Sequence, residues 1–344
     1  MLKGGDIANY ESITGQDVIF ELKIAKNIAC YSNNKKVIIL INPMKKADLK
    51  TGFLCNNNCL FCVQGPEKKK FGNKSTSELI EIIKKAKKGC DTIVFTGGEP
   101  TIRKDLIELV AMAKKVGFKT IQIQSNGRMF VYEQFCKDIV KAGANEFALA
   151  LHGHTAELHN YLTGAESFRQ IVAGIKTLKK MKQVVITNTV ITKSNYRHLP
   201  EIAKVLIGLN VDQMQFAFVH AVGAAGNNFD SVVARVEMVA PYLKKAIDIG
   251  RVLKTRVMTE GLPFCILQGY ESSISETVMP DIKIFDQISV IDDYKKMRIN
   301  DDKAKGPKCE QCLYNNICEG PWKEYPQAFG WDEFKPVVRK KKND

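Results

Sequence analysis

The sequence predicts an α/β protein built on a partial (β/α)6 barrel of the TIM type, followed by a C-terminal cysteine-bearing extension. Two observations lead to this fold class. From about residue 50 to 254, short β-rich runs alternate with amphipathic stretches, the pattern of a parallel sheet covered by crossover helices. Beyond about residue 255 this alternation fades, and a second group of cysteines follows.

Each predicted strand is a short apolar run, and each predicted helix carries apolar residues at helical spacing. The first predicted strand leads into TGFLC, and the other five are 91–98, 119–127, 146–153, 184–192 and 213–223. The predicted helices are 76–88, 105–117, 135–143, 167–181, 199–210 and 241–254. A possible hairpin, 17–27 with 35–43, precedes them. We therefore expect an N-terminal strand or hairpin segment over 1–45, a barrel over 46–254, the extension over 255–336 and a basic tail over 337–344.

Glycine and polar residues collect where the predicted strands end. The strand ends read TGFLC, TGGEP, QSNGR, ALHGH, TNTVIT and FVHAVG. In barrels and open parallel sheets the chemistry lies at the carboxyl ends of the strands. The functional site is therefore predicted at this edge.

The composition and the length of the apolar runs limit the classes of protein to which this chain can belong. No run is long enough to span a bilayer and no signal peptide precedes the fold, so we expect a cytoplasmic protein. The net charge of +14 either marks an acidic partner or reflects solvated lysine-rich helix faces. Ten cysteines in a chain of this size do not predict a disulfide framework. Cys30, Cys90 and Cys136 stand alone and are interpreted as small buried hydrophobes.

Three cysteines, Cys55, Cys59 and Cys62, lie within eight residues in C-x3-C-x2-C spacing. A structural zinc site requires four protein ligands, whereas three thiolates on a four-iron cubane leave one iron open to a small molecule. With Phe61 directly before Cys62, the motif resembles the signature of the radical S-adenosylmethionine (radical SAM) superfamily.

Later strand ends extend this resemblance. Gly97, Gly98 and Glu99 of TGGEP resemble the glycine-rich element that meets the methionine amino group of the cofactor in that superfamily. The resemblance further implies cofactor contacts at the next strand ends. These would come from Ser125, Asn126 and Asn188, with Phe61 beside the cluster.

The histidine-rich segment ALHGHTAELHNYLTG resembles one found in relatives of the molybdenum-cofactor cyclase and of peptide-maturing enzymes. The resemblance suggests that His152 or Arg169 faces the substrate. The alternative is a helix-capping turn with solvated histidines. His220 and Asn227, after the sixth strand, are further candidate substrate contacts, and the alternative there is a mobile glycine loop.

Cys309, Cys312 and Cys318 are spaced C-x2-C-x5-C and resemble the SPASM or twitch extensions that hold auxiliary iron–sulfur clusters. The full SPASM pattern has another cysteine where this chain has Trp322, which argues against two auxiliary clusters. Cys265 is then the expected fourth ligand of a single auxiliary [4Fe-4S] cluster. If Cys265 only packs, that cluster has an open iron, and zinc on the four thiolates is a further alternative.

The resemblance implies a catalytic [4Fe-4S] cluster that cleaves S-adenosylmethionine reductively to a 5′-deoxyadenosyl radical, which removes a hydrogen atom from the substrate. The implied substrates are a peptide or protein side chain, or a small anionic metabolite. The implied partner is a small reductant protein such as flavodoxin or ferredoxin, with no membrane contact. A different class, a zinc-stabilised nucleic-acid-binding protein, would use the charge and the terminal cysteines. It leaves the first three cysteines and TGGEP unexplained, and basic runs with interleaved aromatics are absent.

Overall fold

The computed structural model describes residues 28–32, 35–39, 45–65 and 70–339. The chain divides into two compact units, Met1–Pro43 and Met44–Asp344. In the first unit, β1 (Ile28–Ser32) and β2 (Lys35–Ile39) form an antiparallel pair. β2 lies within the predicted strand 35–43, whereas 17–27 lies outside the described residues. The second unit contains all the other elements.

The second unit is built on a nine-stranded sheet in the order β11-β10-β3-β4-β5-β6-β7-β8-β9. The strands are β3 (Lys46–Lys50), β4 (Thr92–Thr96), β5 (Thr120–Ser125), β6 (Glu146–Ala150), β7 (Val184–Ile191), β8 (Gln213–Phe218), β9 (Arg256–Glu260), β10 (Ile282–Phe285) and β11 (Val290–Ile291). All neighbours are parallel except β10 and β11. The sheet is open, so the prediction of a partial TIM-type barrel is confirmed.

Helices connect and cover the strands. They are α1 (Thr76–Lys87), α2 (Leu106–Lys115), α3 (Glu133–Ala142), α4 (Ala156–Thr163), α5 (Phe168–Lys180), α6 (Leu199–Gly208), α7 (Ala224–Asn227), α8 (Phe229–Val232), α9 (Val236–Val252), α10 (Tyr294–Met297) and α11 (Glu324–Phe329). α1 begins with a capping box, in which Ser75 and Glu78 satisfy each other's backbone N–H groups. No helix among the described residues is long and apolar enough to cross a membrane.

The start of α9 corrects the sequence prediction. The helix was expected over 241–254, but it begins five residues earlier, at Val236, and contains Pro241. The extension stabilises the earlier start. The backbone N–H of Val236 donates to the Tyr325 hydroxyl at 2.8 Å, and that of Glu237 donates to Glu333 Oε1 at 3.1 Å. These long-range partners satisfy helix N-terminal donors that the local sequence cannot cap.

Four of the strands, β3, β6, β7 and β8, have one buried face and one largely half-buried face. In β6, Phe147 and Leu149 are fully buried, whereas Ala148 and Ala150 between and after them are only half-buried. The same alternation runs through β3, β7 and β8. One face therefore packs against the helices, and the other lines the concave interior of the half-barrel, called the lumen below.

The extension spans the open side of the half-barrel. It leaves the sheet at β9, where Thr259 bridges to Ile274, and it returns to the opposite side, where β10 pairs with β3. Farther along, Nη1 of Arg298 lies 3.9 Å from Oε1 of Glu260 on β9. The predicted boundary at residues 254 and 255 therefore falls directly before a strand that belongs to the barrel sheet.

Candidate functional site

The loop that follows β3, residues 51–65, carries Cys55, Cys59 and Cys62 and is called the cysteine loop below. All three cysteines are partly exposed. The backbone N–H of Asn58 donates to the Thr163 carbonyl at 2.9 Å, at the end of α4. On the other side, the carbonyl of Cys62 accepts from the N–H of Ala224 at 2.8 Å, after β8. The fold therefore fixes the loop from two sides at the carboxyl edge of the sheet.

The glycines of TGGEP pack directly against the cysteine loop. The N–H of Gly98 donates to the Gly52 carbonyl at 2.7 Å, and the N–H of Glu99 donates to the Leu54 carbonyl at 2.8 Å. A Cβ atom at Gly97 would lie 2.3 Å from the Gly52 carbonyl oxygen, and one at Gly98 would lie 2.2 Å from that of Leu54. The glycines were expected to admit a ligand; in the structure their missing side chains admit the loop itself.

Glu99 is buried and its carboxylate is bound within the protein. Oε1 accepts from the N–H of Thr101 at 3.0 Å, from its hydroxyl at 2.5 Å and from the Ser125 hydroxyl at 2.8 Å, and Oε2 accepts from the N–H of Asn126 at 2.6 Å. Burial raises the pKa of Glu99, against the opposing effect of these donors. Glu99 thus joins the ends of β4 and β5 and holds Ser125 and Asn126 in place.

The end of β5 also clamps the cysteine loop. Nδ2 of Asn126 donates to Oδ1 of Asn56 at 2.7 Å. Nη1 of Arg128 donates to the Asn56 carbonyl at 2.6 Å and to Oδ1 of Asn57 at 3.1 Å. The asparagines between Cys55 and Cys59 are therefore anchoring residues of the cysteine loop.

The lumen beside the loop offers an unsatisfied acceptor on β7. Asn188 occupies the lumen face of that strand, and its Oδ1 atom is buried without a hydrogen-bond partner among the described residues. A buried amide oxygen in this state fits a ligand that donates a hydrogen bond. The three thiols of the loop therefore fit an iron–sulfur cluster with one open iron. The unsatisfied amide oxygen in the adjoining lumen fits a cofactor that carries a nucleoside.

His152 and His159 lie beneath the cysteine loop in the core. The Phe61 ring meets the His152 ring edge-on, with 4.6 Å between centroids. Nδ1 of His152 accepts from the N–H of Val190 at 3.1 Å, and Nδ1 of His159 accepts from the N–H of His152 at 3.1 Å. Burial lowers the pKa of His152 well below its ordinary value and that of His159 to about 4. Both are neutral and support the loop, so neither is a solvated histidine of a capping turn.

Arg169, the other substrate candidate in this segment, is placed away from that core. It lines a surface cleft formed by residues of α4 and α5 together with the turn that joins these helices. Asn227 ends the short helix α7, and its N–H donates to the Gly223 carbonyl at 3.2 Å.

The extension brings Cys265, Cys309, Cys312 and Cys318 together around one cleft. The N–H of Gly320 points to Cys318 Sγ at 3.4 Å. That of Val337 points to Cys312 Sγ, also at 3.4 Å. Burial and the three neighbouring cysteines raise the pKa of Cys265 to about 12, so ligation there must displace a proton. N–H groups directed at sulfur are what thiolate ligands of iron–sulfur clusters receive, so this donor set fits a four-thiolate cluster.

Among the described residues, no group of three or more histidine, cysteine or carboxylate side chains is arranged to hold a single metal ion.

Cys90 and Cys136 are buried in the core, as expected from the sequence. Cys136 Sγ donates to the Phe130 carbonyl, and burial raises its pKa to about 11. The side chain of Cys30 lies outside the described part of the chain.

Trp322 occupies the position at which the full SPASM pattern has a cysteine, and it joins the extension to the barrel. Its Nε1 donates to the Phe218 carbonyl at the end of β8 at 3.2 Å. The His220 ring stacks on its indole, with 4.1 Å between centroids, and His220 Nε2 lies 3.3 Å from Glu324 Oε2. Nζ of Lys303 lies 3.7 Å from the centroid of the same indole. The structure thus places His220 at the barrel mouth, against the extension.

Sequence reasoning missed the ionic network behind this tryptophan. Arg298 is fully buried and donates to both carboxylate oxygens of Glu319 at 2.7 Å, directly after Cys318. In the sequence alone, Arg298 and Glu319 cannot be distinguished from charged residues on the protein surface. The available signal was the position of Arg298 between the two cysteine segments of the extension and that of Glu319 directly after the second.

Comparisons with known proteins agree with this architecture. The sequence profile of the radical SAM superfamily matches residues 49–206. A probable GTP 3′,8-cyclase of Sulfurisphaera tokodaii is 27% identical over 205 residues, covering 59% of this chain and 61% of that protein. One of Saccharolobus islandicus is 26% identical over 183 residues, covering 53% and 59%. The chain thus spans about three fifths of the length of these curated relatives.

Solved structures share the fold. SuiB of Streptococcus suis bound to S-adenosylmethionine superposes with a TM-score of 0.61 at 16% identity, covering 81% of this chain and 72% of that one. Native anSMEcpe with bound AdoMet gives a TM-score of 0.59 at 18% identity, covering 81% and 89%. The matched segment contains the cysteine loop, TGGEP and strands β4 to β7. Residues 49–206 therefore form a radical SAM domain, and this part of the chain belongs to the radical SAM superfamily.

Proposed function

We propose that the chain is a radical SAM enzyme in which Cys55, Cys59 and Cys62 hold a [4Fe-4S] cluster whose fourth iron binds S-adenosylmethionine. When bound, this pair supplies reductive cleavage of the cofactor to methionine and a 5′-deoxyadenosyl radical that removes a hydrogen atom from the substrate. The observation that carries the proposal is the anchoring of the cysteine loop to the ends of β4 and β5, to α4 and to the segment after β8. A loop built only to close a turn would not need contacts from so much of the barrel edge.

The residues around the loop hold and orient the two groups. Gly97 and Gly98 let the end of β4 approach the loop, and Glu99 orders the neighbouring strand end. Asn188 offers the cofactor an acceptor from the lumen. Ser125 and Asn126 order the adjoining end of β5, since their side-chain oxygens accept from the N–H groups of Gly127 and Arg128. Phe61 shields the loop from below by packing on His152. Their shared task is to fix the cofactor and to exclude water.

We propose further that Cys265, Cys309, Cys312 and Cys318 bind a second [4Fe-4S] cluster. Support comes from their common cleft, from the N–H groups directed at two of the sulfurs and from Lys305 and Lys308 at its wall. Lysine charges offset the negative charge that four thiolates bring to such a centre. The arrangement favours a closed auxiliary site over one with an open iron.

The proposed substrate is a peptide or protein side chain, with a small anionic metabolite as the other class. SuiB has been solved with its precursor peptide SuiA and anSMEcpe with the Cp18Cys peptide, whereas the curated relatives are probable GTP cyclases. A small reductant protein such as flavodoxin or ferredoxin is the proposed electron donor. A zinc-stabilised nucleic-acid-binding protein is not proposed, because it assigns no role to the radical SAM segment 49–206.

Anaerobic metal analysis of the reconstituted protein tests the assignment. Two cubane clusters predict about eight irons per chain and a brown colour. Replacing Cys90, a buried cysteine outside both sites, with alanine should leave the iron content unchanged. Zinc without iron in the wild-type protein would overturn the proposal.

A further inference from the structure

Glu260 occupies a position in the lumen that the proposed function leaves without a role. It is the last residue of β9, at the carboxyl edge of the sheet, and it lies opposite Ala217 of β8. Ala217 and the β6 residues Ala148 and Ala150 on the lumen face are small. The Glu260 side chain retains 20% of its exposure. The Glu260 carboxylate is therefore partly accessible, and its cross-strand neighbour is a small residue.

One oxygen of Glu260 is fixed and the other is available. Oε2 accepts from Nε2 of Gln215 at 2.6 Å. Within the described residues Oε1 accepts no hydrogen bond, and its nearest cation is Nη1 of Arg298 at 3.9 Å. That guanidinium is already held by both oxygens of Glu319. Glu260 thus has a fixed orientation and an unused acceptor, which is the state of a preorganised binding group.

The charges around Glu260 leave an excess of negative charge. Three carboxylates, Glu260, Glu276 and Glu319, face two cations of the extension, Arg298 and Lys303. Lys46 of β3 also attracts Glu260, but it is shared with the carboxylates of Asp48 and Glu146. Lys303 lies 3.6 Å from Glu276 and stacks over an indole, so its ion pair is with Glu276 and it acts on Glu260 only at longer range. Burial raises the pKa of Glu260, and the Glu276 carboxylate raises it further. A cation placed at Oε1 would relieve both effects.

This local balance is opposite to that of the whole chain, which carries +14. Lysines on exposed helix faces, such as Lys84 and Lys137, supply much of the overall charge. A ligand in the lumen meets the nearby fixed charges, because charges on the outer surface are screened within about 8 Å at physiological ionic strength. The overall basicity therefore does not select an anionic substrate.

We infer that Glu260 binds a cationic nitrogen of the substrate, an ammonium or a guanidinium group, at the β9 side of the lumen. Arg298 and Gln215 are positioning residues that hold the carboxylate for this contact. The inference rests on the proposed function and decides between its two substrate classes. It favours a lysine- or arginine-like side chain, or an amine, over an anionic metabolite.

Three matched probes test this on the reconstituted holoenzyme with S-adenosylmethionine present. They are the N-acetyl, N′-methylamide derivatives of lysine, of norleucine as its neutral counterpart, and of glutamate as the anion. Calorimetric titration should show the lysine probe binding at least about tenfold more tightly than the norleucine probe, as expected for a charge-assisted hydrogen bond in a partly buried site. Glu260→Gln should abolish the difference, whereas Glu81→Gln, on an exposed helix face, should preserve it.

Several results would overturn the inference. These are no measurable binding of the lysine probe to the wild-type protein, equal affinity for lysine and norleucine probes, tightest binding of the glutamate probe, or a preference that survives Glu260→Gln. The comparison of probes on the wild-type protein does not depend on the folding of any variant. Formation of 5′-deoxyadenosine is measured on the same preparation. Its absence refutes the proposed function, whereas its presence without a lysine preference refutes this inference alone.

Discussion

Replacing Gly98 with alanine should displace the cysteine loop and impair cofactor cleavage. The added Cβ atom would lie 2.2 Å from the Leu54 carbonyl oxygen and 2.6 Å from the Phe53 carbonyl group. Ordinary carbon–oxygen contact begins near 3.2 Å, so the loop must move by about 1 Å next to Cys55. Overpacking of this kind costs about 1–3 kcal/mol of unfolding free energy, and a 1 Å displacement of reacting groups can cost about a hundredfold in rate.

The assay is the rate of 5′-deoxyadenosine formation from S-adenosylmethionine under a chemical reductant, normalised to bound iron. Denaturant unfolding of the same protein measures the stability cost. Gly72→Ala is the matched control, because a Cβ atom at Gly72 meets nothing within 4 Å. It should behave as the wild-type protein does in both measurements.

The reasoning would be refuted if Gly98→Ala retained the wild-type rate per iron. It would also be refuted if Gly72→Ala and Gly98→Ala lost activity equally. Either result would mean that the contact between TGGEP and the cysteine loop does not set the geometry of the site.

Three further predictions concern the extension and the core. Cys265→Ser should lower bound iron from about eight to about four per chain and leave the first cluster in place; unchanged iron would reduce Cys265 to a packing residue. Arg298→Met leaves Glu319 buried without its partner and should cost about 3–5 kcal/mol in denaturant unfolding. A loss below about 1 kcal/mol would contradict the buried ion pair. The depressed pKa of His159, about 4 against an ordinary 6.5, means that the unfolded chain binds its proton first. Its contribution to stability should be complete above pH 6.5 and should be lost as the pH falls through about 4. His159→Gln should flatten that dependence, and an unchanged profile would argue against a neutral buried imidazole.

The barrel was predictable from the sequence because its signals are local. β6 and β8 alternate between helix-facing apolar residues and lumen-facing small or polar ones. α4, which follows β6, begins at the capping residue Thr155 and ends at Gly164. The cysteine spacing and TGGEP are also local, so the sequence allows a prediction of the first site at the level of single residues. Their roles in cofactor binding remain predictions that the experiments above address.

The joining of the extension to the barrel was not predictable in the same way. β10 has only four residues and pairs with β3, which lies more than 230 residues earlier in the chain. The early start of α9 depends on Tyr325 and Glu333, which lie about 90 residues later. Contacts of this kind depend on chain topology, which leaves no periodic pattern in the sequence.

The partners of buried polar groups were the other feature that could not be predicted from the sequence. The sequence does not show that the Glu99 carboxylate is occupied by Thr101, Ser125 and Asn126. Arg298 and Glu260 drew no attention, because a charged residue is usually exposed. Only the three-dimensional structure shows which charges are paired and which acceptor is left over.

The most direct test of the central claim is 5′-deoxyadenosine formation by a variant that lacks all three cysteines of the cysteine loop. Cys55→Ala, Cys59→Ala and Cys62→Ala together should abolish 5′-deoxyadenosine while about four irons per chain remain at the extension. Accumulation of 5′-deoxyadenosine by this variant would contradict the assignment of Cys55, Cys59 and Cys62 as ligands of the cluster that cleaves S-adenosylmethionine.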